Sequence, residues 1–227
     1  MLASAVAAAW STYLDWLPCR GSMLSGSIIY GYHHVGPDFS DACLRRMDGE
    51  QGPRALELRS VAMALAGLAW LALVLGMRWQ LRTKAVAALP GLVTLALAGV
   101  VAIGAGLGQD DSLLVILRLT LGLTFELLAV VALVAISTGE PDVGGRGVLR
   151  LVVVLWGTTA FGLIHVIVEF IVMVKFTEAN WDTPPGTGYL TVATITISAI
   201  LTVIMTLRAP RTVADDEQHQ AVITSRV

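Results

Sequence analysis

The sequence predicts an all-α fold: a polytopic integral membrane bundle of five long transmembrane helices, with a short N-terminal apolar helix and a small exported loop region. Three observations predict it. Hydrophobic residues fill 56% of the 227 positions, charged residues only 14%, and the mean hydropathy is +0.74. A water-soluble domain of this length could not hide that much apolar surface. Five apolar runs, at about 58–77, 85–108, 112–137, 149–175 and 188–208, are each long enough to cross a ~30 Å hydrocarbon core at ~1.5 Å per helical residue. The links between them are short, RWQLRTK, GQDD, STGEPDVGGRGV and FTEANWDTPPGTGY, and short links force antiparallel neighbours.

Residues 1–17, MLASAVAAAWSTYLDWL, favour helix but form a short run, either spanning or lying in the interface, and Pro18 stops it. Trp10, Tyr13 and Trp16 suit an aromatic belt near its end. No Lys or Arg precedes the run and no small-residue cleavage site follows a long apolar core, so it does not read as a cleaved signal peptide. Residues 18–57 are mixed and broken by glycine and proline, and form the one sizeable loop region. Within it SDACLRRM predicts a short helix with Ser40 or Asp41 as N-cap. The bundle proper runs over 58–208, and the polar tail 209–227 lacks a core pattern.

Orientation follows from the basic residues of the short loops. One side holds Arg78, Arg82, Lys84, Arg146, Arg150, Arg208 and Arg211, while the short loops of the other hold only Lys175. The basic side is expected in the cytoplasm with the tail, and loop 18–57 outside a plasma membrane. Arg20, Arg45, Arg46 and Arg54 in that loop count against this. Cys19 and Cys43 then share an oxidising face, where a disulfide is expected. His33 and His34 with Asp38 and Asp41 lack the spacing of a metal site and read as surface or interface histidines. No metal and no cofactor is expected, and a net charge of −2 gives no hint of nucleic-acid binding.

Small residues line expected packing seams: Ala62, Ala66 and Ala69 in the first long run, and Gly99, Ala102 and Gly106 in the second. The sharpest feature is a set of intramembrane charges. His165 and Glu169 stand four apart, on one face of a run read as a single helix over 149–175. Run 112–137 offers Arg118 and Glu126, with Gly122 between them at steps of four. If the two runs pack antiparallel, depth matching places Arg118 beside Glu169, and Glu126 near His165 and Gly162. Such a cluster serves as a proton relay, ion site or lipid-headgroup site, or as a buried polar staple that fixes helix register. No G-x-S-x-G, P-loop or strand-borne G-x-G-x-x-G occurs, so no catalytic residues are assigned.

The layout, with Cys19 and Cys43 in an exported loop ahead of five long apolar runs, with Ala, Gly, Val and Leu dominating over Ile and Phe and with Arg outnumbering Lys, resembles the LucB-like accessory membrane subunits of actinobacterial Mce lipid-import complexes. The resemblance is to size and order over the whole chain, and no motif residue carries over. It implies a non-catalytic accessory subunit, not an enzyme, whose partners are membrane lipids and other integral membrane proteins, a permease and the Mce subunits. The alternative is a membrane enzyme or proton-coupled transporter using Arg118, Glu126, His165 and Glu169.

Overall fold

The computed structural model describes residues 1–19, 40–107, 112–139, 145–177, 183–184 and 186–207, and these are helical with short turns. The N-terminal apolar run forms α1 (Leu2–Trp16) and continues into a 3-10 turn, Leu17–Cys19. Helix α2 (Asp41–Met47) starts where Ser40, a good N-cap, accepts the Cys43 N–H at 3.2 Å. Helix α3 (Pro53–Gly76) begins earlier than the apolar run suggests, because Gly52 caps it and Pro53 occupies its first turn. Then follow α4 (Leu81–Leu107) and α5 (Ser112–Gly139). The expected single helix over 149–175 is instead two, α6 (Gly145–Thr159) and α7 (Leu163–Thr177), and α8 (Tyr189–Leu207) ends the described chain.

Among the described residues, α3, α4, α5 and α8 are each long and apolar enough to cross a membrane. The pair α6–α7 makes a fifth span if counted as one, bent by 67°. Helix α1, at 15 residues, measures only ~22 Å. Ser4 donates to Ala62 O and Ser11 to Ala55 O, both at 2.7 Å, so α1 lies antiparallel along the first half of α3.

The break at 160–162 has local causes. The Thr158 hydroxyl bonds back to Val154 O and that of Thr159 to Trp156 O, satisfying hydroxyls in the last turn of α6. Gly162 donates to Thr159 O in a tight turn, and the new helix finds its N-terminal acceptor on α5.

Helices α3, α4 and α5 pack side by side in chain order, and α1 and α8 extend the bundle beyond α3. Helix α6 lies against α8, α3 and α5. It is antiparallel to α8, where Ser198 Oγ donates to Val153 O and Arg150 Nη2 to Met205 O near the C-terminal end of α8. Two buried clusters form the core, one around Leu56, Met63 and Ile195, the other around Trp70, Ile136 and Leu155. Trp70 donates to Ala87 O at 2.7 Å.

The packing seams differ in part from expectation. Ala62 and Ala66 are buried, but Gly99, Ala102 and Gly106 face outward, and nothing crowds Gly99 or Gly106. Gly104 faces Arg118 of α5, and the seam of α4 against α3 is the face carrying Ala87, Gly91 and Ala98. There Gly91 meets Gly67, and a Cβ on Gly67 would stand 2.9 Å from Gly91 O.

One end of the bundle is tied together by Cys19 and Cys43, which are disulfide-bonded with Cα atoms 4.8 Å apart. Both are buried with Trp16 and Met47. Trp16 Nε1 donates to Thr187 O at 2.8 Å, and Thr183 N to Met47 O at 2.8 Å, so this disulfide end joins α1, α2 and the turn before α8. His33, His34, Asp38 and the tail 209–227 lie outside the described residues.

Candidate functional site

The polar groups within the bundle fall into three places, and helix ends decide two of them. At the α6–α7 break, the Ile164 N–H donates to Glu126 Oε1 at 2.5 Å, with the His165 N–H also turned to the carboxylate. Glu126, about halfway along α5, therefore serves as a remote cap for α7, where free N–H groups and the helix dipole favour an anion. Gly162 makes this possible, since a Cβ there would stand 2.5 Å from Glu126 Oε1. The second oxygen, Oε2, and His165 Nε2 are buried and have no partner among the described residues. Both residues line a groove of about 390 Å³ between α5, α6 and α7, otherwise walled by apolar groups such as Val130, Leu133 and Trp156, with Thr159 at its polar end. It can hold an apolar chain along its length and offer a hydrogen-bond acceptor and an imidazole at one end.

Glu169 does the corresponding task for α8. It is 1% exposed, and its carboxylate accepts from Gly188 N at 2.7 Å, Leu190 N at 2.8 Å and the Thr191 hydroxyl at 2.8 Å. Gly188 has φ +107°, a backbone that L side chains rarely adopt, and it packs against Thr12. The 67° turn carries Glu169 to this helix end and away from α5. The expected Arg118–Glu169 pair is therefore absent, while Glu126 and His165 do meet, through the backbone of α7 and a shared groove.

Arg118 instead extends toward α4, where Gly104 leaves room for its guanidinium. Its Nε and Nη2 are buried without an acceptor among the described residues. It lines a cavity of about 200 Å³ together with Arg59 of α3. Sequence reasoning passed over Arg59, because the apolar run was started at 58. The Gly52-Pro53 pair is the signal that places it a turn and a half inside a helix.

At the disulfide end, Arg46 Nη2 bonds Asp15 Oδ2 at 2.5 Å, and its guanidinium lies 4.5 Å over the Trp16 ring. Burial pushes the Asp15 carboxyl up from its ordinary value, against the pull of Arg46 and Arg59, and burial lowers Arg46. Asp15 Oδ1 and Arg46 Nε and Nη1 remain unpartnered among the described residues. This pair staples α1 to α2 and carries no sign of chemistry beyond that.

No protein-family model, no curated protein and no solved structure matches this chain.

Proposed function

We propose that this chain is a non-catalytic accessory subunit of a multiprotein membrane complex for lipid transport, of the Mce type that its layout resembles. The observation that carries the reading is the 390 Å³ groove between α5, α6 and α7, apolar along its walls and polar at the Glu126–His165 end. That shape suits a lipid chain with its head, or the apolar side chains of a neighbouring helix. The partners on this reading are a permease, the exported lipid-carrying subunits and membrane lipid. The asymmetry of basic residues supports a plasma-membrane orientation with the disulfide end outside and the C-terminus in the cytoplasm.

Purification of the tagged chain from its own host in mild detergent tests this. A stoichiometric complex with a permease and lipid-carrying subunits, and lost lipid uptake on deletion of the gene, is the expected result. A chain that purifies alone from that host and whose deletion leaves lipid uptake intact refutes it. Reporter fusions after Leu207 test the orientation, and activity only outside the cytoplasm reverses it.

A second reading has its own support, the unpartnered Glu126 Oε2 and His165 Nε2 in one groove. A half-buried acid and imidazole beside a broken helix suit proton-coupled transport. Solute uptake by liposomes containing this chain alone, driven by a pH gradient and lost in Glu126→Gln, would favour it.

A further inference from the structure

We infer that the cavity between Arg59 and Arg118 is a binding site for a phosphate-bearing anion, a phospholipid headgroup or free phosphate. The proposal does not depend on membership of a transport complex. Each arginine is the seventh residue of its helix, Pro53 being the first of α3 and Ser112 of α5. Helix α3 runs away from the disulfide end, α4 returns to it, and α5 leaves again, so both guanidinium groups stand at about the same depth near that end. They line one cavity of about 200 Å³, whose remaining wall includes Gln51, Met63, Gly122 and Phe161. The two cations lie within electrostatic range of each other.

Asp15, Glu126 and Glu169 are engaged elsewhere. Asp15 pairs with Arg46, Glu126 caps α7, and Glu169 caps α8. Among the described residues neither arginine forms a salt bridge: Asp15 lies within electrostatic range of Arg59 but is bonded to Arg46, and buried donors of Arg118 face no acceptor. The two guanidiniums, Arg118 with buried donors and Arg59 half-buried, share one mostly apolar-walled space and repel each other unless an anion sits between them. A tetrahedral oxyanion fits best, because each planar fork can hold two of its oxygens. Gly104 belongs to the same arrangement, because a side chain there would collide with the Arg118 guanidinium. Gln51 adds a neutral amide at the rim, and the apolar wall provides a path for the first carbons of a lipid tail.

The test uses the purified full-length chain, in nanodiscs of phosphatidylcholine with phosphatidylglycerol, and separately in neutral detergent with inorganic phosphate. Native mass spectrometry reads retained lipid, and thermal unfolding reads phosphate. Selective retention of phosphatidylglycerol over phosphatidylcholine, weakened about tenfold or more in Arg118→Gln and in Arg59→Gln, is expected and identifies a headgroup. Stabilisation by phosphate without lipid preference, lost in the same variants, supports the site with a free anion as its occupant. Gly104→Ala should weaken either signal. Should the arginine variants fail to fold, selectivity in the wild type decides. Equal retention of the two lipids together with no response to phosphate overturns the proposal, as does binding that survives both arginine substitutions.

Discussion

Glu169 shows how far a single residue's role depends on what stands opposite it. Its carboxylate holds two backbone N–H groups and one hydroxyl at the start of α8, those of Gly188 and Thr191 buried and that of Leu190 part-buried. Glu169→Ala strands these donors, each at ~1–3 kcal/mol, and should lower the unfolding temperature in detergent sharply. Glu169→Gln keeps a carbonyl acceptor and should fall between. Because Arg118 bonds neither oxygen, Arg118→Ala and Glu169→Ala should add in free energy to within ~0.5 kcal/mol. A double variant more stable than the poorer single would restore the ion pair expected from depth matching. The sequence identifies the ionisable residues themselves, since an acid or a guanidinium in an apolar run is conspicuous. It does not identify their partners, because backbone N–H groups carry no residue-type signal.

At the scale of the element, the break between α6 and α7 and the crossing of α3 with α4 both rest on glycine. In Gly162→Ala the new Cβ displaces Glu126 from the α7 N-terminus. The cost should be ~1–3 kcal/mol, and much less when Glu126→Ala has already removed the cap. Unfolding of the two singles and the double measures this, and a simple sum of effects would show that Gly162 and Glu126 act apart. At the crossing, Gly67→Ala should destabilise by ~1–3 kcal/mol, since its Cβ meets backbone at Gly91. Gly99→Ala and Gly106→Ala should be neutral or slightly stabilising, because both face open space and alanine favours helix. The reverse order would return the seam to the 99, 102 and 106 face. That face was a natural choice, since its residues are small, but helical spacing alone does not say which of several small-residue faces meets a neighbour.

For the whole molecule, the disulfide end ties the N-terminal helix to the last one. Cys19 and Cys43 are 24 residues apart, and a loop of that size corresponds to ~3 kcal/mol in the chain-entropy description. Cys43→Ser, or reductant on the wild type, should lower the free energy of unfolding by a similar amount, and the two treatments together should do no more than one. An unchanged transition on reduction would show that the end is held by Trp16, Arg46 and the Met47–Thr183 contact alone.

The sequence by itself determines that this chain is an all-helical bundle, because hydropathy and run length are local sums that no tertiary context reverses. It also narrows the helix α2 cap to Ser40 or Asp41, and places the early end of α1 and the polar character of the α5–α7 region. The 67° break, the outward face of α4, and the cavity that Arg118 shares with Arg59 instead of a bond to Glu169 were decided only in three dimensions. A helix may stop inside an apolar run when another element supplies an acceptor for its freed N–H groups, as Glu126 does from α5. Where a long side chain ends depends on which neighbour has left it space, as Gly104 does for Arg118. Both are relations between segments far apart in the chain, and hydrophobic periodicity, which reports only whether a face is apolar, does not encode them.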